Sequence, residues 1–317
     1  MCRGVTTKTA IQINEVGLRD GLQSLNRPIP TDNKLLMVER LVALGFKSIE
    51  IASFVNPRLM PAMADSAELA SRVPRVEGVR YRGFAPNLKG LEAAAKSGIH
   101  DIGVAIAASD SFNQKNIRAT TEQALAVAGE VAAAAAEYGI GFNACVATVV
   151  YCPFEGYVAP EKVARLVDEL QALGSQNIVL GETIGRARPE EIHQLLTTLK
   201  DSLPAENIVA HFHDTWGQGL ANYRVCLEQG VTCFDTSLGG LGGCPFAPGA
   251  AGNVATEDLL HMLGSDTYDT GLDLPEVAAV AREFCQHNEL PYTSRAGNAC
   301  LLSGDSPGPG AEDERPG

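Results

Sequence analysis

Short runs of β-branched and other apolar residues recur along the chain at Ile11 to Val16, Ser48 to Ser53, Val79 to Pro86, Asp101 to Ala107, Gly141 to Val150, Asn177 to Glu182, Asn207 to His213 and Cys233 to Leu238. Between them, apolar positions return at spacings of three and four, over Lys34 to Leu44, Leu88 to Lys96, Thr121 to Tyr138, Glu161 to Leu173, Glu190 to Leu199 and Leu220 to Glu228. The first pattern predicts strands and the second helices. Gly45, Gly98, Gly139, Gly174 and Gly230 follow helical stretches, where a left-handed residue ends a helix at least cost. Strand alternating with helix, eight times over, is the pattern of an α/β (β/α)8 TIM barrel. A doubly wound open sheet is the alternative.

Beyond the eighth strand come a glycine-rich loop from Gly239 to Gly252, an apolar helix from Val254 to Leu263, and another helix from Pro275 to Asn288. The last begins at a proline, which suits a first helical position, and forms an additional C-terminal helical segment beside the barrel. From Ser303 the chain is mainly Gly, Pro, Asp and Glu, which cannot bury enough apolar surface to offset the entropy of ordering. The expectation is one domain over residues 1–302 and a disordered tail over 303–317.

Composition narrows the partners. With 25 Lys+Arg against 38 Asp+Glu, the formal charge is −13, which argues against nucleic acid or an anionic membrane as the main partner. No run approaches the roughly 20 apolar residues of a membrane span. Met1 to Thr9 show neither a secretory apolar core nor a transit pattern, so a cytoplasmic location is expected. The eight cysteines include no C-x-x-C pair and mostly read as buried, reduced small hydrophobes. Cys244 differs, because Gly243 and Pro245 place it on a polar loop where a thiol can react.

In a barrel of this kind the active site lies at the carboxyl ends of the strands. Asp20 follows the first run, Glu50 and Ser53 end the second, Asn87 follows the third, Glu182 and Thr183 end the sixth, and His211, His213 and Asp214 end the seventh. The amino ends offer mainly Lys47, Ser48, Gln176 and Asn177. Side chains two apart on a strand point the same way, so His211 and His213 present two imidazoles to one side, as a metal site needs. By itself an H-x-H pair is equally a solvated pair on an edge strand. The glycines from Gly239 to Gly243 lack the Lys-Ser/Thr of a phosphate-binding P-loop and read as loop mobility.

Six blocks now acquire a common meaning: EVGLRDGLQ at Glu15 to Gln23, IEIASFVNP at Ile49 to Pro57, APNLKG at Ala85 to Gly90, LGETIG at Leu180 to Gly185, HFHDTWGQGLAN at His211 to Asn222, and GLGGCPFAPGAAGNVATED at Gly240 to Asp258. In this order they resemble the 3-hydroxy-3-methylglutaryl-CoA lyase family of metal-dependent TIM barrels. The resemblance implies that Asp20, His211, His213 and Asn253 bind one divalent cation, with Arg19 and Glu50 beside it and Cys244 on a mobile loop. Carboxylate, imidazole and amide donors with open positions suit Mg2+ or Mn2+, whereas a structural zinc site would use several cysteines.

The implied reaction is retro-Claisen cleavage of an acyl-CoA substrate, 3-hydroxy-3-methylglutaryl-CoA, to acetyl-CoA and acetoacetate, by a homodimer or higher homo-oligomer. Arg19 would hold the enolate oxygen, Asp20 or a histidine acting through water would take the hydroxyl proton, and Cys244 would protonate the acetyl-CoA carbon. Gln23, Ser53, Asn87 and Thr183 resemble substrate-facing positions, yet each equally fits a loop-stabilising hydrogen bond. Glu50 fits a partner of Arg19 as well as an acid or base, and Asp214 and Asn222 fit orientation of the histidine loop or a helix cap. Departures at Ser24 to Arg27, Val179, Glu182 and Leu238-Gly239 bear on substrate choice. They leave open the same cleavage of citramalyl-CoA or a longer branched homologue. A condensing synthase would be expected to carry a further domain after Leu302, and a non-catalytic barrel to have lost a ligand.

Overall fold

A computed structural model of the protein describes residues 8–243 and 252–303. Eight parallel strands close into a barrel: β1 (Gln12–Glu15), β2 (Ser48–Ser53), β3 (Arg80–Phe84), β4 (Asp101–Ala107), β5 (Gly141–Ala147), β6 (Ile178–Glu182), β7 (Ile208–Phe212) and β8 (Cys233–Thr236). Each of the eight apolar runs supplies one strand, and β8 closes on β1 in register from Cys233–Gln12 to Thr236–Glu15. The open-sheet alternative is thereby excluded. No described helix is long and apolar enough to cross a membrane.

The helices are α1 (Thr31–Leu44), α2 (Ser66–Arg72), α3 (Leu88–Ser97), α4 (Asp110–Ile117), α5 (Thr121–Tyr138), α6 (Pro160–Ala172), α7 (Pro189–Leu199), α8 (Gly219–Glu228), α9 (Thr256–Leu263), α10 (Leu274–His287) and α11 (Arg295–Ser303). All five glycines read as helix ends have positive φ. The periodicity missed α2, α4 and α11. The first is seven residues rich in Ala and Ser, and the second is a polar turn started by Ser109, whose hydroxyl accepts the Phe112 N–H. Val254 and Ala255, expected to be helical, lie before α9, because Ala255 pairs with Ser237 and the helix begins at Thr256. The expected tail lies, apart from Ser303, outside the described residues.

Most of the apolar core lies between barrel and helices, where Leu41, Leu91, Val131, Val163, Leu166, Leu195 and Leu259 pack against outward-facing strand residues such as Ile49, Ile51, Ile102 and Phe234. Two buried acids tie β1, the turn after β8 and α9 together. Glu15 Oε1 accepts the N–H groups of Gly17 and Leu238, and its Oε2 accepts the Thr256 hydroxyl. Glu257 accepts the Gly239 N–H at 3.0 Å. That turn requires a glycine at 239, since φ there is +61° and a Cβ would lie 2.9 Å from the Tyr292 ring.

Burial pushes Glu257 up from 4.5 to about 8 and Glu15 up to about 7, against the N–H groups that favour their charged forms. An acid whose folded-state pKa is raised contributes stability that is intact below its unfolded value near 4.5 and lost as pH rises through the folded value. Glu257→Gln, which stays neutral and keeps an acceptor for Gly239, should therefore gain on the parent protein as pH rises from about 5 to about 9, by on the order of 2 kcal/mol. Parallel thermal melts across that range check it. A difference that does not change with pH would mean that Glu257 is charged throughout.

Candidate active site

The chain leaves β1 through one turn of π-helix, Gly17–Gly21, in which the Gly21 N–H reaches back to the Val16 carbonyl at 3.3 Å. Such turns are uncommon and are found frequently at functional sites. This one lifts Arg19 and Asp20 over the carboxyl mouth of the barrel. Across the mouth, Phe212 of β7 packs outward on Tyr223 of α8, with ring centroids 5.2 Å apart. His211 and His213 on either side of it therefore face inward, and their rings lie 5.6 Å apart.

The donor atoms of Asp20, His211 and His213 all fall within 4.8 Å of one another. Asn253 joins this group through a bridge to His213, and its amide nitrogen donates to Asp20 Oδ2 at 2.9 Å and to the Leu241 carbonyl at 3.2 Å. That leaves the carboxamide oxygen as the atom able to ligate. One carboxylate, two imidazoles and one amide, converging from β1, β7 and the segment before α9, form a donor set that fits a divalent cation with open positions.

Electrostatics prepare the same set. Burial alone would raise the Asp20 carboxyl, but the Arg19 guanidinium and then His211 and His213 hold it well below the usual carboxylate range. Burial and the neighbouring His211 push His213 down to about 4. An ionised Asp20 and a neutral His213 are the forms that bind a cation. His211 differs: burial lowers its affinity for a proton, yet the hydrogen bond to Asp235 and the charge of Asp20 leave it raised.

Arg19 is held at both ends of its fork. Its Nη1 lies 2.7 Å from Asp20 Oδ1 and its Nη2 lies 2.7 Å from Glu50 Oε2, while the buried Nε has no partner among the described residues. Glu50 thus meets Arg19. Gln23 donates to Asp20 Oδ1 at 2.7 Å. Ser53 is buried, with no partner for its hydroxyl among the described residues, and Thr183 Oγ1 accepts the Thr148 N–H at 2.9 Å. Asn87 is committed differently, since its side-chain oxygen caps α3 at the Gly90 N–H. Asp214 caps α8 through the Gly219 N–H and pairs with Arg295, and Asn222 ties to the Ala187 carbonyl. Cys244 lies outside the described residues. Glu182 is wholly buried beneath the mouth, where its Oε1 accepts the backbone N–H of Arg186.

Two residues escaped the reading of the sequence. Asp235 contacts His211 Nδ1 at 3.1 Å and Arg82 contacts Asp235 at 3.4 Å. Their signal was present as charges at interior positions of β8 and β3, where a barrel normally packs branched aliphatics. Polarity at strand ends was a weaker guide than expected. A cavity of about 690 Å³ opens at the amino ends, lined by Arg80, Asp101, Asn143 and Asn177 among others. Arg80 there is neutralised by Asp101 through two contacts of 2.6 and 2.5 Å. The carboxyl mouth is set apart by a convergent donor set.

Comparison with known proteins gives the family and the fold. The HMGL-like family model matches residues 10–283. Hydroxymethylglutaryl-CoA lyase of Pseudomonas mevalonii is 42% identical over 92% of this chain and 96% of its own length. A 3-hydroxy-3-isohexenylglutaryl-CoA/hydroxymethylglutaryl-CoA lyase of Pseudomonas aeruginosa is 39% identical over 92% of this chain and 97% of its own. The crystal structure of hydroxymethylglutaryl-CoA lyase from Pseudomonas aeruginosa superimposes with a TM-score of 0.91 at 38% identity, covering 93% of this chain and 99% of that one.

Glu50→Gln tests the division of labour at the mouth. It removes a charged partner from buried Arg19 but touches none of the four candidate ligands, so the melting temperature should fall by the equivalent of about 1–3 kcal/mol while Mn2+ affinity changes less than about threefold. Loss of Mn2+ binding in a titration of the folded variant would make Glu50 a ligand instead.

Proposed function

The chain belongs to the HMGL-like family, and from that premise we propose that it is a carbon–carbon lyase cleaving 3-hydroxy-3-methylglutaryl-CoA to acetyl-CoA and acetoacetate. The observation that carries this reading is the convergence of Asp20, His211 and His213 beside a buried, doubly anchored Arg19, in a chain with lyase relatives along nearly its whole length.

Breaking the bond between carbons two and three of a 3-hydroxyacyl thioester requires removal of the hydroxyl proton and acceptance of the electron pair by the thioester as an enolate. When bound, Mg2+ or Mn2+ supplies positive charge that eases loss of the hydroxyl proton. Asp20, His211, His213 and Asn253 hold that cation in this reading. Asp20, or a histidine acting through a water, takes the proton. Arg19 faces the enolate oxygen with a permanent charge, and its two carboxylate anchors fix the guanidinium before the charge develops, so no reorganisation is needed. Cys244 returns a proton to the acetyl-CoA carbon, a task within reach of a thiol with a reference pKa of about 8.5. Gln23, Ser53, Asn87 and Thr183 are assigned to the substrate and its thioester arm, Asn87 through its NH2 group, since its oxygen caps α3.

A second reading keeps the chemistry and changes the acyl group. It is supported by the Pseudomonas aeruginosa relative, whose name includes a longer branched substrate, and by the departures at Glu182 and Gly239. Incubating the purified protein with a panel of 3-hydroxyacyl-CoA thioesters while measuring acetyl-CoA separates the two. With 3-hydroxy-3-methylglutaryl-CoA, acetyl-CoA should accumulate, stop on chelation and resume when Mg2+ or Mn2+ is restored. Full turnover in excess EDTA, with no metal by elemental analysis, would sink the metal-dependent reading.

Arg19→Gln should lower kcat by about 100- to 1000-fold, the usual loss when one such donor to a developing negative charge is removed, with a much smaller change in KM. A loss below about tenfold would make Arg19 a structural partner of Glu50 alone.

A further inference from the structure

Below the candidate ligands, the middle of the barrel holds a charged layer that the cleavage chemistry does not call for. Asp235 on β8 is 5% exposed. Its Oδ2 lies 3.1 Å from His211 Nδ1, and its Oδ1 accepts Asn14 Nδ2 at 2.8 Å and faces Arg82 Nη1 at 3.4 Å. Asp235 has no contact with Arg19 or Glu50 shown by a hydrogen bond or ion pair, so it is not part of the mouth. Besides the bond from Asn14, its carboxylate meets His211 Nδ1, the ring nitrogen other than the one nearest Asp20.

A neutral imidazole carries one N–H, and its position is set by the hydrogen bond the ring makes. A carboxylate at Nδ1 draws the proton there and leaves the Nε2 lone pair free. His211 Nε2 lies 3.9 Å from Asp20 Oδ2, beyond hydrogen-bond distance. The two strands are braced at this level. Residue pairing between β7 and β8 covers only Val209–Cys233 and Ala210–Phe234. Just above, the Tyr223 hydroxyl takes over, accepting the Phe212 N–H at 3.2 Å and donating to the Asp235 carbonyl at 2.6 Å. The backbones carrying His211 and Asp235 are thereby held in one register.

We propose that Asp235 is a positioning residue of the metal centre: it accepts the Nδ1–H of His211, fixing the tautomer that turns Nε2 toward the cation, while Arg82 and Asn14 hold its carboxylate from the amino-terminal side. The inference rests on the reading that Asp20, His211 and His213 bind a divalent cation. The competing role is a plain counter-ion for Arg82. Against it, the Arg82 contact is a single one at 3.4 Å, longer than those to His211 and Asn14.

Asp235→Asn keeps the shape and removes the charge. Folding is followed by circular dichroism and thermal melting, and Mn2+ affinity by titration of the electron paramagnetic resonance signal. The dissociation constant for Mn2+ should rise about 10- to 100-fold, as is usual when the hydrogen-bonding partner of a ligating histidine is lost. An unchanged dissociation constant in a folded variant overturns the proposal. Failure of the parent protein itself to bind Mn2+ overturns instead the metal reading beneath it. Nitrogen NMR of the metal-free parent protein at alkaline pH, with the His211 signal assigned from His211→Gln, provides a readout that does not depend on the variant folding. A proton on Nδ1 supports the proposal, and a proton on Nε2 overturns it.

Discussion

Acidic and basic side chains alternate along a buried column that crosses the barrel: Glu50, Arg19, Asp20, His211, Asp235 and Arg82, with successive contacts of 2.7, 2.7, 3.9, 3.1 and 3.4 Å. Each charge taken from water costs several kcal/mol unless neighbours of opposite sign surround it. The alternation is therefore a condition of folding as much as of function. It explains why Asp20 stays ionised under burial and why His211 keeps its affinity for a proton while His213, which lacks a carboxylate on its far nitrogen, does not. A column balanced in this way contributes little net stability. The driving force for folding comes instead from the aliphatic shell between strands and helices.

The order of elements was legible because the two hydrophobic periods differ so clearly. Eight β-branched runs separated by stretches at spacings of three and four admit few architectures, and each run became a strand. Two of the missed helices share a physical reason: Ser66–Arg72 and Asp110–Ile117 are too short or too polar to show a stripe. Helix ends were read well, since the preference of glycine for positive φ is local and needs no tertiary information.

At the candidate site, side-chain types and strand ends could be read, but partnerships could not. His211 and His213 announce themselves by spacing two, and Asp20 by its place after the first strand. That Gln23 and Asn253 both donate to Asp20, or that Glu50 grips the far side of Arg19, depends on how strands distant in the sequence approach one another across the mouth. Asp235 and Arg82 are the sharper case. Each sits in an ordinary strand run, and only the closed barrel puts them within reach of each other and of His211.

Gly239 shows how the column and the turn after β8 are joined. The turn after β8 is clamped by two buried acids, Glu15 at the Leu238 N–H and Glu257 at the Gly239 N–H. The glycine's φ of +61° and the close Tyr292 ring leave little room for any side chain. The clamp sits directly before Leu241, whose carbonyl receives the Asn253 amide. Asn253 in turn donates to Asp20. The chain toward Cys244 therefore departs from a fixed point that shares hydrogen bonds with the charged column, so a displacement of the clamp would reach Asp20 through Leu241 and Asn253.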